Sequence, residues 1–204
     1  MTQTPATKDV LATFQTLARL TMVKRHNAAF LDTNRQENVA EHSYTLATLA
    51  CGLADSLNSS LERPLDVGKL AQFGLVHDLP EVYMAQDISV YDSQAAIDKK
   101  PQYEKVALQQ IRQETETLPW VVQTVEEYER QETEESRFIY ALDKLIVHMI
   151  VLSNDTHHAQ PTRERYLETE EVAREKISRS FPGLLPYFND LCDMFRERPH
   201  FFSD

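Results

Sequence analysis

Glycine is scarce in this sequence: four in 204 residues, Gly52, Gly68, Gly74 and Gly183, where a usual share is about 7%. Neither Gly-x-Gly-x-x-Gly nor Gly-x-x-x-x-Gly-Lys-[Ser/Thr] can be written from those positions, which excludes dinucleotide fingerprints and P-loops. The two cysteines, Cys51 and Cys192, are isolated, so neither a disulfide framework nor a cysteine metal site is indicated. Bases are also in short supply, 21 against 32 acids, for a net charge of −11. Such a charge repels a phosphate backbone and an anionic membrane alike, so neither a nucleic acid polymer nor a membrane is expected as partner. A small anionic substrate would need a local device, either a metal ion or a few placed cations. No apolar core follows the start MTQTPATKDV, so no signal peptide is read there. The longest apolar stretch, residues 138–152, is broken by Asp143, Lys144 and His148 and is too short to span a bilayer. A soluble protein of the reducing cytoplasm is the expectation.

What is present is apolar residues, 42% of the chain, recurring at helical spacing almost throughout. No repeat or low-complexity linker divides them, and one domain over residues 1–204 is expected, large enough to bury on the order of 70% of its unfolded surface. The fold class is all-α, a bundle of about seven to nine helices. A first helix is expected over residues 8–23, with Val10, Phe14 and Leu17 on one face, and a polar loop over residues 24–38. A second helix over 39–58 carries Leu46, Leu49, Leu53 and Leu57 on one stripe. One turn back, that stripe reaches His42, which therefore faces inward. A third helix over 64–78 puts Leu70, Phe73, Gly74 and His77 on one side, and Pro80 ends it. Further helices are read after Pro101, over 120–130, over 134–154 with two acids at its start, and over 162–180 and 186–198.

Asp143 lies in a helix that is apolar on nearly every side. A carboxylate there costs several kcal/mol, on the order of 3–5, unless it is paired or bound to metal, and a salt bridge to a neighbouring helix explains it as well as a metal does. His77-Asp78 ends an apolar-striped helix just before a proline break, and Glu81 follows at the spacing of one helical face. Together, His42, His77, Asp78 and Asp143 supply two imidazoles and two carboxylates from three helices. That mixed nitrogen and oxygen set suits one borderline divalent ion, Mn²⁺, Co²⁺, Fe²⁺, Ni²⁺ or Zn²⁺. Glu81 and Asp87 would then be carboxylates able to orient or deprotonate water.

These residues stand in three ordered motifs: Arg35-x-Glu37-Asn38-Val39-Ala40-Glu41-His42-Ser43, His77-Asp78-x-x-Glu81, and Glu127-Tyr128-Glu129…Glu134-x-x-x-Phe138-x-x-x-Leu142-Asp143-Lys144-Leu145. On them the chain resembles the HD superfamily of metal-dependent phosphohydrolases, and within it the small YfbR-type 5′-deoxyribonucleotidases. The likeness has its core at about residues 20–155, with helices over 160–200 packing on it. The resemblance implies a single-metal nucleotide phosphohydrolase and a homodimer, with His42, His77, Asp78 and Asp143 as metal ligands and Glu81 as the catalytic acid or base. Asp87 approximates a further catalytic aspartate, Arg25 matches an arginine that contacts phosphate, and Arg35, the other cation near the motifs, is expected to bind the substrate with it.

The chain departs from the family pattern at Gln86, where a glycine is usual, at the one-residue longer spacing from Glu81 to Asp87, and at His26, where the deoxyribonucleotidases have tryptophan. Asp92 is the substitute acid if the loop is re-registered. No histidine lies between Asp78 and Asp143, which likens the chain to mononuclear members. A 5′-nucleoside monophosphate is the expected substrate. A deoxynucleoside triphosphate losing triphosphate, or a non-catalytic nucleotide-binding scaffold with a structural metal, are the alternatives. Outside the motifs, His148 reads as a packed core histidine, His157, His158 and His200 as solvated, Lys99-Lys100 as a surface pair, and Trp120 as a core anchor. The acidic run 126–135 reads as a solvated face, with one carboxylate available to Arg25 or Arg35.

Overall fold

Thr133, within the acidic run, accepts a hydrogen bond from the Ser136 N–H, capping the longest helix among the described residues. That helix (α6, Glu134–Asn154) is the axis of the fold. The structure, a computed structural model, describes residues 4–30, 32–84, 98–157 and 159–204. Among these are eight α-helices: α1 (Thr7–Ala18), α2 (Val39–Leu57), α3 (Val67–Val76), α4 (Lys100–Glu114), α5 (Trp120–Glu129), α6, α7 (Arg163–Ser180) and α8 (Leu185–Arg196). The all-α expectation holds, and no described helix is long and apolar enough to cross a membrane.

Helix starts follow the local chemistry. Asn38 and Glu41 form a reciprocal capping box at the head of α2, Asp66 caps α3 and Thr162 caps α7. The core gathers on α6, where Phe138, Ile139, Leu142 and Leu145 are fully buried against Leu46 and Ala50 of α2, Leu70 and Phe73 of α3, and Phe188 of α8. A second cluster of Val39, Val76, Leu79, Ile111, Val121 and Val125 packs under a 3₁₀ turn, Leu79–Tyr83, that follows α3. That turn is where Pro80 ends the helix, two residues short of the expected end at Asp78.

Three local expectations are corrected. Residues 24–38 are not a loop but an antiparallel hairpin, β1 (Lys24–Ala29) and β2 (Asp32–Asn38), with Lys24 paired to Asn38 and Ala29 to Asp32. Its strands are almost wholly polar, so no apolar alternation marks them; backbone pairing and the Asn154 side chain donating to the Ala29 carbonyl hold it. Trp120 is 50% exposed, and Val121, Val122 and Val125 anchor α5 instead. His157 is buried, its ring against Phe195 and Phe201. His148 is packed edge-on against Tyr166, Phe188 and Phe195, as read.

Helix α1 is turned contrary to its pattern. Thr13 and Thr16 are buried, while Val10, Leu11 and Phe14 are exposed, Phe14 by 64%.

Candidate metal centre

Gly74 sets the distance between α2 and α3. A Cβ there would stand 2.7 Å from the Ala47 Cα, so only glycine lets the two helices approach this closely. The approach brings the His42 and His77 rings to 5.3 Å between centroids. The Gly74 carbonyl also accepts the His77 Nδ1–H at 2.9 Å, which turns His77 Nε2 toward the acids. His77 Nε2 lies 3.1 Å from Asp78 Oδ2 and 3.9 Å from Asp143 Oδ1, buried and with no hydrogen bond of good geometry among the described residues. His42 Nε2 lies 2.9 Å from Asp143 Oδ1 and 3.7 Å from Asp78 Oδ2. Four groups spaced by 35 or more positions in the chain, apart from adjacent His77 and Asp78, thus meet at one point.

Charge is balanced by two cations. Arg25 Nη1 stands 2.6 Å from Asp78 Oδ2, and Lys144 Nζ 2.7 Å from Asp143 Oδ2. Burial pushes both carboxyls up, but His77 and Arg25 hold Asp78, and Lys144 and His42 hold Asp143, below the usual carboxylate range. Burial, aided by Arg25, lowers His42; for His77 burial is outweighed by Asp78, and its pKa rises. Ionised carboxylates and an imidazole kept neutral by burial are the forms a divalent ion needs. His42, His77 and Asp78 offer ligand atoms all within 4.8 Å of one another. The unsatisfied His77 Nε2 and the nitrogen and oxygen donor set fit such an ion.

Glu81 is buried in the 3₁₀ turn, its N–H donating to the Asp78 carbonyl at 3.0 Å, so one short turn ties it to the cluster. Arg35 goes elsewhere. It is exposed and engages Glu41 at 2.8 Å and Asp32 at 3.4 Å, bracing the capping box of α2. Asp87 and Asp92 lie outside the described residues. In the acidic run, Glu127 pairs with Lys69 and Glu126 with Arg112, not with Arg25 or Arg35. Of Lys99-Lys100, the side chain described is that of Lys99, which is exposed.

Three contributors were not singled out in the sequence. Lys144 neutralises Asp143, and its adjacency was the available signal. Tyr128 sets its ring edge against His77 at 6.1 Å, its phenol raised by burial and then by Asp143 and Asp78. Glu37, within the first motif, is buried beside His42 Nδ1 at 3.7 Å and Arg25 Nε at 3.6 Å; burial, opposed by Arg25, pushes its carboxyl up to about 7.

With this geometry in view, comparison with known proteins is informative. The HD domain profile matches residues 17–185. A 5′-deoxynucleotidase HDDC2 of Xenopus laevis is 28% identical over 163 residues, 78% of this chain and 75% of that one. The protein of the same name from Homo sapiens is 27% identical over 142 residues, 67% of this chain and 64% of that one. A crystal structure described as a predicted metal-dependent phosphohydrolase, from Magnetospirillum magnetotacticum, superposes with a TM-score of 0.74 at 23% identity, covering 99% of this chain and all of its own.

Proposed function

The chain belongs to the HD-domain family, and from that premise we propose that it is a divalent-metal-dependent phosphohydrolase releasing the 5′-phosphate of nucleoside monophosphates, deoxynucleotides among them. The observation that carries this reading is the meeting of His42 Nε2, His77 Nε2, Asp78 Oδ2 and Asp143 Oδ1, with His77 Nε2 buried and aimed at both acids. The names of the Xenopus and human relatives support the nucleotide as substrate class.

These four residues would hold one divalent ion. Bound there, such an ion supplies Lewis acidity toward a phosphate and lowers the pKa of water. The chain's own residues do the rest. Gly74 orients His77 through its carbonyl. Lys144 keeps Asp143 ionised. Glu81, on the turn that follows Asp78, takes a proton from water as the water oxygen bonds to phosphorus and the P–O5′ bond breaks, and the proton passes to the departing nucleoside oxygen. Arg25 is assigned to the substrate phosphate, the local cation that a chain of net charge −11 needs to attract an anion.

A homodimer is part of this reading. The apolar stripe of α1, turned away from its own core, supports a second copy as what covers it.

The test is phosphate release from ribo- and deoxynucleoside mono- and triphosphates by chelator-stripped protein reloaded with Mn²⁺ or Co²⁺, alongside Asp78→Ala. Orthophosphate from monophosphates, lost in the variant, is expected. Triphosphate as product would move the substrate to the nucleoside triphosphates. No release from any nucleotide would overturn the reading.

A further inference from the structure

The hairpin places a carboxylate between Arg25 and the Nδ1 edge of His42. Lys24 pairs with Asn38 across the antiparallel ladder, whose register shifts between Lys24 and Ala28, and on that stretch the Arg25 and Glu37 side chains meet. A single oxygen, Glu37 Oε2, is 3.6 Å from Arg25 Nε and 3.7 Å from His42 Nδ1. Glu37 is 6% exposed and His42 wholly buried. Neither Oε2 nor His42 Nδ1 has a hydrogen-bond partner among the described residues. Glu37 is also the one carboxylate among those residues within 4.0 Å of His42 Nδ1. The gap is about half an ångström beyond a hydrogen bond, within reach of a small torsional change.

A buried carboxylate is costly unless it is paired, and pairing Arg25 does not by itself account for this one. The guanidinium spends its shortest contact, 2.6 Å, on Asp78, and Glu37 faces the Nε edge that remains. On its other side it faces the one nitrogen of His42 that does not point at the acids. We propose that Glu37 is the positioning residue of this site: through Oε2 it holds His42 as an Nε2 ligand and aims Arg25 at the substrate phosphate.

The physical grounds are general. An imidazole whose far N–H meets a carboxylate has its tautomer and ring orientation fixed and its ligating nitrogen made more basic; loss of such a partner typically weakens metal binding about 10–100-fold. Arg25 would keep an anchor at Nε, through Glu37, with an ion held by the cluster, and its two terminal nitrogens face Asp78 and Asp143. One carboxylate thereby serves both the ion and the phosphate. The inference rests on the phosphohydrolase reading for the substrate half and on the His42 geometry alone for the metal half.

The test compares wild type, Glu37→Gln and Glu37→Asp. Glu37→Gln keeps the size and removes the charge, and Glu37→Asp keeps the charge on a shorter arm. Titration calorimetry of Mn²⁺ into chelator-stripped protein gives Kd, melting of the metal-free protein reports folding, and steady-state kinetics on a 2′-deoxynucleoside 5′-monophosphate separates KM from kcat. Glu37→Gln is expected to weaken Mn²⁺ binding about tenfold or more and, at saturating Mn²⁺, to raise KM more than it lowers kcat. Glu37→Asp is expected to recover part of both.

A purely structural Glu37 would lower the melting temperature and leave the Kd of the folded protein unchanged. Mn²⁺ affinities of wild type and Glu37→Gln within about twofold would overturn the inference, whatever the activity. Wild type that binds Mn²⁺ but hydrolyses no nucleotide, with affinity still lost in Glu37→Gln, would overturn the phosphohydrolase reading and leave the Glu37 assignment to the metal ligand standing. Wild type that binds no Mn²⁺ would overturn both.

Discussion

Arg25 holds the one oxygen of Asp78 that faces both imidazoles of the cluster. Nη1 of Arg25 lies 2.6 Å from Asp78 Oδ2, and the same Oδ2 faces His77 Nε2 at 3.1 Å and His42 Nε2 at 3.7 Å. The guanidinium thereby brings to Asp78 part of the positive charge that a divalent ion would bring to the proposed site.

Removing Arg25 should accordingly separate folding from metal binding. Arg25→Ala leaves Asp78 without its closest cation in a buried site, at a cost on the order of 3 kcal/mol to the metal-free protein. Mn²⁺ should then restore stability, and the gain in melting temperature on adding Mn²⁺ should exceed that of wild type. Equal gains, measured by calorimetry with chelator and with Mn²⁺, would show that Arg25 does not stand in for the ion.

Gly74→Ala sets two effects of opposite sign against each other. Alanine gains about 1 kcal/mol of helix propensity over glycine. Its Cβ would meet the Ala47 Cα at 2.7 Å and Cβ at 2.8 Å, a clash with backbone that no rotamer relieves, costing about 1–3 kcal/mol. The clash should win, with net destabilisation in urea and weaker Mn²⁺ binding as α3 and its His77 move away from His42.

His148 makes stability depend on pH away from the candidate site. Burial among Tyr166, Phe188 and Phe195 depresses its pKa from 6.5 to about 4. The unfolded chain therefore binds a proton that the folded one refuses, so this contribution is complete above about pH 6.5 and is lost as pH falls toward 4. The full loss is at most about 3 kcal/mol. In His148→Phe, unfolding free energies measured between pH 7 and pH 4 should fall less steeply than in wild type; parallel profiles would show that His148 does not titrate this way.

The outward stripe of α1 bears on assembly. If α1 meets a second copy through Val10, Leu11 and Phe14, Phe14→Asp should convert a dimer to a monomer in sedimentation velocity while circular dichroism stays unchanged. A wild type that sediments as a monomer at micromolar concentration would remove the dimer from the proposal.

Much of the candidate site was legible because its parts lie on strongly patterned helices. The Leu46 stripe points His42 inward, the apolar surround of Asp143 marks it as turned toward the interior, where its side chain is 14% exposed, and the break at Pro80 leaves His77, Asp78 and Glu81 together. Arg35 could not be read this way. Its place in the motif suggested phosphate, whereas the fold spends it on Asp32 and Glu41. The hairpin was illegible for a related reason: polar strands have no buried face to set a period of two. Trp120 misled because size suggests burial, although which face α5 buries is set by what α5 packs on.

By itself the sequence determined the helical class, the order of the described helices and the inward faces that carry His42 and His77, since helical periodicity states which residues share a face. Tertiary structure alone decided what stands opposite each face. Asp78 meets Arg25 from 53 positions away, and His42 meets Asp143 from 101 away; α1 shows its threonines to the core, and Glu37 lies between two donors. Those pairings depend on how closely α2, α3, α6 and the hairpin pack, and that distance is a property of the assembled surfaces rather than of any one segment.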